Sequence, residues 1–392
     1  MKIKKMKLTG HKVLGDLEID FTDESGKPLD VVAFIGDNGV GKTQVLRSIV
    51  DVIGIKTHSR NIQIRKFETG VKLTDKLSIT LVLEGVNSTD IPLEPMGVAW
   101  NHVAKGIEQK PFAVWMPVEL NADTDSTFLS SGIYGEWIER SNEWKLNDIN
   151  AYIIENINKA IYKDMSKPAK VAFDEESQEI NDVFKGLDLG VKLIGLSGES
   201  GLPIFRNKRG EDIELKDLSS GEKQLFFRIL SLKRLNVNNA IILIDEPETS
   251  LHPEWQRKII DVYRNIGENN QIIIATHSPL ILGSVPSEGV RVLSRNDEGV
   301  IQVEHGYQTY GKSAEDLLRA SMNLGSLRHE KMEEKLEKAR KLLDADSYES
   351  DEYKNLIREL KMELGSGDQD VMLIEMGASR RRRLRDKDKQ NR

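Results

Sequence analysis

The sequence predicts an α/β protein with a mixed, mainly parallel sheet and helices on both faces. Three apolar, β-branched runs of strand length predict buried strands, at Val31–Ile35, Ala240–Ile244 and Gln271–Ala275. Each run is followed by glycine-rich or polar residues and then by a helical pattern, as in proteins whose strands and helices alternate. Ligands of such sheets bind at the carboxyl ends of the strands. We therefore expect the functional residues directly after these three strands.

A glycine-rich stretch, Gly36–Thr43 (GDNGVGKT), lies between the first predicted strand and the helical pattern of Gln44–Ile53. The pattern G-x-x-x-x-G-K-T between a strand and a helix is typical of a phosphate-binding loop. A glycine-rich turn alone would more often be only a turn, but the Lys-Thr pair and the preceding strand favour nucleotide binding. The predicted nucleotide-binding residues of this stretch are Gly36, Asp37, Asn38, Gly39, Val40, Gly41, Lys42, Thr43 and Gln44.

The residue types of this loop suit ATP with Mg²⁺. Gly39 and Gly41 allow backbone N–H groups to turn toward an anion, and the N-terminus of the following helix adds partial positive charge. Lys42 would reach the β- and γ-phosphates, and the Thr43 hydroxyl would ligate Mg²⁺.

Polar residues with catalytic chemistry follow the other two strands. Asp245 could hold Mg²⁺ together with Thr43, directly or through water, and Glu246 could accept a proton from the attacking water. His277 could bind the γ-phosphate and orient that water. An acidic pair also begins many ordinary loops, and a lone histidine is usually incidental. The phosphate-binding loop favours the catalytic interpretation, with Glu246 and His277 as catalytic residues and Thr43 and Asp245 as metal ligands.

Composition limits the class of protein. The 392 residues include no cysteine, which excludes disulfides and thiolate chemistry, and no apolar run is long enough to span a membrane. The basic N-terminus lacks the apolar segment of a signal peptide. These features predict a cytoplasmic protein with no membrane contact. Since the net charge is −7, any contact with DNA or RNA must be local.

The first half of the chain predicts a sheet followed by an insertion. Ile3–Leu8 and Leu17–Phe21 alternate as two antiparallel strands beside the phosphate-loop strand, and Lys76–Glu84 predicts a further strand. Residues 85–189 predict an insertion with one amphipathic helix. Its apolar positions are Leu146, Ile149, Ile153, Ile157 and Ile161. Four tryptophans of the insertion favour a small satellite core over a platform for stacking bases, because they do not alternate with basic residues. They are Trp100, Trp115, Trp137 and Trp144.

Three strand candidates, Val191–Leu196, Leu202–Arg206 and Ile213–Leu218, follow the insertion, and the turn at Asn207–Asp212 predicts that the last two form a hairpin. The stretch Leu218–Gln224 (LSSGEKQ) then leads into a helix that runs to about Leu235. Its residues Ser219, Ser220 and Gly221 lie at a helix N-terminus, which suits an anion.

Charged amphipathic patterns fill the end of the chain. Residues 313–379 predict a helical hairpin with a turn at Asp344–Asp351, and its apolar stripes would pack either on the rest of the chain or on a partner. Its apolar positions are Met332, Leu336, Ala339, Leu343, Tyr353, Leu356, Leu360 and Leu364. Residues 380–392 contain eight basic and two acidic residues. This basic tail is either disordered or a contact for nucleic acid or an acidic partner.

The motifs together resemble those of ABC-type ATPases of the SMC and DNA-repair branch. Gly36–Thr43 looks like a Walker A motif, Ile241–Glu246 like a Walker B with its catalytic glutamate, Leu218–Gln224 like the ABC signature, and Thr276–Ser278 like the switch-histidine loop. The resemblance covers residues 1–84 and 190–305 and implies a P-loop ATPase head over 1–84 and 190–312. It also implies that Ser219, Ser220 and Gly221 cap the γ-phosphate bound to another copy, so that two heads sandwich two ATP molecules.

The segment Thr309–Gly311 and the helical, arginine-rich end also resemble the Septu ATPases of anti-phage defence, including retron-associated versions. That resemblance implies a homo-oligomer that regulates a separate HNH-type nuclease, and the chain itself has no recognisable nuclease motif. Alternatives are a stand-alone DNA-repair type ATPase and, less favoured, an ATP-binding subunit of a transporter. His252 departs from the aspartate common in transporter ATPases, and neither Gln109 nor Glu119 can be assigned as the Q-loop residue.

Overall fold

The structure, a computed structural model, describes residues 2–53, 61–65, 68–72, 78–84, 112–116, 138–140, 146–305, 308–321 and 328–390. The chain divides into two compact units, Met1–Met322 and Asn323–Arg392. Among the described helices, none has the length and apolar character needed to cross a membrane.

The strands and helices of the described residues have the following bounds. The strands are β1 (Lys2–His11), β2 (Gly15–Asp20), β3 (Val31–Gly36), β4 (Asn61–Arg65), β5 (Glu68–Lys72), β6 (Ser78–Glu84), β7 (Phe112–Met116), β8 (Ile138–Arg140), β9 (Val191–Leu196), β10 (Pro203–Asn207), β11 (Asp212–Glu214), β12 (Ala240–Asp245), β13 (Gln271–Ala275), β14 (Val290–Arg295) and β15 (Ile301–His305). The helices are α1 (Lys42–Ile53), α2 (Leu146–Lys163), α3 (Ala169–Val183), α4 (Ser220–Arg234), α5 (Pro253–Gln256), α6 (Ile259–Arg264), α7 (Pro279–Leu282), α8 (Ala314–Ser321), α9 (Glu330–Asp344), α10 (Asp351–Leu364) and α11 (Gln369–Gln390).

A mainly parallel sheet organises the first unit. In the described residues its order is β15-β14-β3-β13-β12-β7-β8, and only β15 runs antiparallel to its neighbour. The predicted α/β class is therefore confirmed.

Both faces of this sheet are buried, and successive residues of each strand alternate between two cores. On β12, Ala240, Ile242 and Ile244 belong to one core, whereas Ile241 and Leu243 belong to the other. Helices α2, α4, α6 and α7 supply side chains to the first core, and α1 with strands β1 and β2 supplies the second. Burial on both faces explains why these strands are apolar throughout.

Two smaller antiparallel sheets accompany the central one, with orders β2-β1-β6-β5-β4 and β11-β10-β9 in the described residues. The predicted pairing of the first two strands is present in the former sheet, which is separate from that of β3. The buried side-chain amide of Gln271 on β13 connects the central sheet to the sheet that contains β1. Gln271 accepts a hydrogen bond from the Ile3 N–H at 2.6 Å and donates to the carbonyl oxygens of Ile3 and Leu29.

The predicted hairpin after residue 202 is present, but its second strand is shorter than expected. Strand β11 ends at Glu214, and Leu215–Asp217 forms a 3₁₀ turn closed by a reciprocal capping box between Glu214 and Asp217. The side chain of Asp217 bonds back to the Glu214 backbone, which favours the turn over an extended strand.

The boundaries predicted for the insertion differ from the structure. Strand β7 pairs in parallel with β12, and Trp115 in it is buried in the second core. Helix α2 has the predicted apolar face, but Ile149, Ile153 and Ile157 belong to the first core of the central sheet. Parts of residues 85–189 therefore build the main core, not a satellite. Trp100, Trp137 and Trp144 lie outside the described residues.

The second unit has a core of its own, built from three helices. Helices α9 and α10 match the two predicted stripes, with Leu336 and Leu360 fully buried. Within this unit their apolar faces pack on each other and on α11. The residues that α11 adds to this core are Val371, Ile374 and Ala378.

The arginine-rich stretch Arg380–Arg385 belongs to helix α11. Arg381 donates to the Leu343 carbonyl at 2.7 Å and pairs with Asp344 and Asp346, both at 2.9 Å. These groups lie at and just beyond the C-terminus of α9, where a cation is favourable. Residues Arg380–Arg385 are therefore helical, and the disordered interpretation does not hold for them.

We predict that Leu360→Ala destabilises the second unit by about 2–5 kcal/mol, because it leaves a cavity in a small core. Urea unfolding of the full chain, followed by far-UV circular dichroism, would measure the change. Met362→Ala is the matched control, since Met362 lies two residues further along the same helix, on its other side, and is 81% exposed. Equal unfolding curves for the two variants would contradict the three-helix core.

Candidate active site

The three strand ends predicted to carry function lie side by side. Strand β13 lies between β3 and β12, and Ala275 at its end is in register with both Phe34 and Asp245. Beyond the strands the backbone bonds continue, since the Thr276 N–H donates to Phe34 O at 3.0 Å and the Glu246 N–H to Ala275 O at 2.8 Å. The phosphate-binding loop, the acidic pair and the histidine loop therefore emerge at one edge of the sheet.

Two glycines of the phosphate-binding loop cannot be replaced without strain. Gly36 and Gly41 have φ angles of 144° and 112°. A Cβ at Gly36 would lie 2.1 Å from the Leu293 carbonyl oxygen, and one at Gly41 would lie 2.6 Å from Leu14 Cδ2. Their lack of a side chain lets the loop pass this close to its neighbours.

Lys42 is 6% exposed, and its ammonium lies over this loop. It donates to the carbonyl oxygens of Gly36 at 2.8 Å and Asp37 at 2.9 Å. Burial lowers the pKa of Lys42 to about 8, against the opposing effect of the Glu246 and Asp245 carboxylates. An anionic phosphate beside the ammonium would favour its charged form.

The structure brings together Thr43 and Asp245, the two residues predicted to bind the metal ion. The Thr43 hydroxyl donates to Asp245 Oδ1 at 3.1 Å, and Asp245 is 3% exposed. Burial raises the pKa of Asp245 to about 6, although the Thr43 hydrogen bond acts in the other direction. A hydroxyl and a carboxylate are hard oxygen donors that suit Mg²⁺, whose other ligands are commonly phosphates and water. No cluster of three or more His, Cys, Asp or Glu side chains that could hold a metal occurs in the described part of the chain.

Glu246 and His277 lie beside this pair. Glu246 adopts a left-handed φ of 43°, a conformation that non-glycine residues hold at some cost and that clusters at functional sites. Burial lowers the pKa of His277, the Lys42 charge lowers it further, and the Glu246 carboxylate opposes both effects. The lowered pKa favours the neutral imidazole, which has one N–H donor and one acceptor nitrogen.

The predicted signature residues do not join this cluster within one chain. Ser219 and Ser220 are exposed, and Ser219 caps α4 in a reciprocal box with Glu222. In the described residues, no hydrogen bond or ion pair connects them to the phosphate-binding loop. Gly221 is buried. A Cβ at this position would lie 2.5 Å from the Ser250 carbonyl oxygen, so a side chain does not fit here.

Residues without a predicted role also take part. Glu248 accepts hydrogen bonds from the Thr276 hydroxyl and the His277 N–H. Glu248 is the second glutamate of the Asp-Glu-Pro-Glu sequence, but its hydrogen-bond partners lie 28 and 29 residues away, so the sequence did not indicate the contact. His252 caps α5 through Nδ1, so its role here is structural. Gln109 and Glu119 lie outside the described residues.

Comparisons with known proteins agree with a nucleotide-dependent enzyme. Residues 112–283 match the family model AAA_21, described as "AAA domain, putative AbiEii toxin, Type IV TA system". The chain is 24% identical over 380 residues to a Septu protein PtuA of Bacillus thuringiensis, with 88% of this chain and 90% of that protein covered. It is 25% identical over 210 residues to "Retron Vc95 probable ATPase" of Vibrio cholerae serotype O1 biovar El Tor, with 51% of this chain covered. The chain is thus similar to proteins named Septu protein PtuA and to a protein named as a retron ATPase.

The match spans less than half the length of two of these relatives. It spans 37% of the retron Vc95 protein and 41% of a second Septu protein PtuA, from Bacillus mycoides (strain KBAB4). Among solved structures, the SMC head domain from Thermotoga maritima aligns with 78% of this chain and 100% of its own, at 17% identity and a TM-score of 0.41.

We predict that Asp245→Asn stabilises the protein in the absence of nucleotide by about 1–3 kcal/mol near pH 8. The pKa of Asp245 rises from 3.8 to about 6 on folding, so its ionised form opposes folding. This penalty is absent below the lower value, grows between the two and is constant above the higher. Urea unfolding of both proteins should show the gain near pH 8 and about half of it near pH 5. A gain independent of pH, or a loss, would contradict the buried carboxylate.

Proposed function

We propose that the chain binds ATP with Mg²⁺ and hydrolyses it to ADP and phosphate, as the ATPase subunit of an anti-phage defence complex. The contact between Thr43 and Asp245, 202 positions apart in sequence, carries this proposal. It joins the phosphate-binding loop to the acidic pair as hydrolysis requires.

Each side chain has a defined part in the proposed reaction. Lys42 binds the β- and γ-phosphate oxygens, and Thr43 and Asp245 hold Mg²⁺, which supplies positive charge to the phosphates. Glu246 accepts a proton from the water that attacks the γ-phosphorus, while the bond to the β-phosphate oxygen breaks and ADP leaves. His277 donates an imidazole N–H to a γ-phosphate oxygen and so orients the phosphoryl group.

The proposed assembly is an ATP sandwich, as a dimer or a higher homo-oligomer. Its support is the exposure of Ser219 and Ser220 at the start of α4, on a helix whose N-terminus suits phosphate. In this arrangement the signature of one copy, Ser219, Ser220 and Gly221, completes the site of the other.

The proposed partner is a separate nuclease of the HNH type, which would supply the nuclease chemistry. Support comes from the relatives named Septu protein PtuA, one of which aligns with 88% of this chain. Purification from the native host with mass spectrometry tests this part. A small nuclease in the complex supports it, whereas ATPase activity that depends on DNA without any partner favours the stand-alone repair alternative.

We predict that Glu246→Gln retains ATP binding but lowers turnover by about a hundredfold or more, because the amide cannot accept the proton. The variant should accumulate as an ATP-bound dimer or larger assembly. Phosphate release gives the turnover, and size-exclusion chromatography with light scattering gives the mass with and without ATP.

Two variants serve as controls for this experiment. Lys42→Ala should lose ATP binding and remain in the nucleotide-free state. Ser219→Arg added to Glu246→Gln should bind ATP without assembling, because the bulky side chain blocks the shared phosphate. Wild-type turnover in Glu246→Gln would remove Glu246 from the role of base, and ATP-bound monomers alone would contradict the sandwich.

A further inference from the structure

Glu248 bridges two of the three strand ends, although the proposed reaction gives it no part. It follows β12 by three residues, and both of its carboxylate oxygens bind the loop after β13. Oε1 accepts a hydrogen bond from the His277 backbone N–H at 2.6 Å, and Oε2 accepts one from the Thr276 hydroxyl at 2.9 Å. The same carboxylate therefore fixes two consecutive residues, one of which carries the imidazole.

The hydrogen bonds continue through the loop into its helix. Thr276 is fully buried, and its hydroxyl oxygen accepts from the Ser278 N–H at 2.9 Å. The Ser278 hydroxyl donates to Gln256 Oε1 at 2.6 Å and caps α7 by accepting from the Leu280 and Ile281 N–H groups. Both ties, Glu248 and Gln256, come from the segment that follows β12. The loop is thus held from one side by the stretch that also carries Glu246.

Burying the Glu248 carboxylate costs free energy, and its hydrogen bonds to the histidine loop offset part of that cost. Burial raises the pKa of Glu248, and the hydrogen bonds from His277 and Thr276 lower it. The Glu246 carboxylate nearby adds repulsion. An apolar side chain of similar size would fill the same space without these penalties, but it could not accept the two loop donors.

We propose that Glu248 is a positioning residue that holds the His277 imidazole in its place beside the phosphates by accepting two hydrogen bonds from the histidine loop. This inference rests on the proposed ATPase function. Glu248 itself does not touch the reacting atoms. Its effect is on orientation, where displacement by about 1 Å can reduce turnover by about a hundredfold.

The experiment compares Glu248→Ala and Glu248→Gln with Glu254→Ala. Glu254 is the matched control, since it lies six residues further on the same segment, is 61% exposed and forms a surface ion pair with Lys258. At saturating ATP, Glu248→Ala should lose about tenfold or more in kcat while its affinity for ATP stays within about threefold of wild type. Glu248→Gln should recover part of this loss, because an amide oxygen can accept the His277 N–H and its NH₂ can donate to the Thr276 hydroxyl.

Hydrogen exchange of the nucleotide-free protein tests the positioning independently of catalysis. Release of the His277 N–H should speed exchange in peptides that contain Thr276–Ser278 in Glu248→Ala, but not in Glu254→Ala. Unchanged exchange there, or wild-type kcat in Glu248→Ala, overturns the inference. If wild type itself hydrolyses no ATP, the proposed function fails, and the exchange result still decides whether Glu248 holds the loop.

A milder variant covers the case in which Glu248→Ala does not fold. Thr276→Val removes one of the two hydrogen bonds to Glu248, and with it the one from the Ser278 N–H, at nearly constant volume. It should lower kcat several-fold with ATP affinity retained. Wild-type kcat in both Thr276→Val and Glu248→Gln would then overturn the inference.

Discussion

The parallel register of β3, β13 and β12 is the constraint on which the site depends. Ala275 lies opposite both Phe34 and Asp245, so the residues that follow the three strands emerge together. Alternation along each strand sends neighbouring side chains to two different cores, and a slip by one residue would exchange the two faces. The burial that stabilises the fold therefore also sets the distance between Thr43 and Asp245. Stability and function share one geometric requirement.

In the protein without nucleotide, burial at this edge of the sheet disfavours the charges of Lys42 and Asp245. Burial lowers the pKa of Lys42 and raises that of Asp245, so each group is held in surroundings that disfavour its charge. Both shifts are in the direction that phosphate and Mg²⁺ would reverse, because a dianionic neighbour favours an ammonium and a cation favours a carboxylate. A preorganised site of this kind reduces stability of the free protein in exchange for tighter contact with the charged ligand.

Much of the fold and most of the site residues could be predicted from sequence, because their signals are local. Val31–Ile35 and Ala240–Ile244 are apolar runs that end in recognisable motifs. Strand β7 is also an apolar run, FAVWM, but no recognisable motif follows it. Helix α11 was missed because exposed apolar residues obscure the spacing of the buried ones, Val371, Ile374 and Ala378. The exposed residues are Met372, Leu373 and Met376. Long-range pairing decides these features, and a single sequence does not record it.

The start of α4 shows how one segment connects the site to the proposed second copy. Gly221 is packed against Ser250, which belongs to the same stretch as Glu246 and Glu248. Ser219 and Ser220 remain exposed, with the Ser219 hydroxyl accepting the Glu222 N–H and donating to its carboxylate. This box satisfies the helix N-terminus in a single chain, and a phosphate could take the place of the carboxylate. Because the stretch from Glu246 to Ser250 contacts both the histidine loop and the signature helix, engagement of the proposed second copy at Ser219 would act on the residues that hold His277.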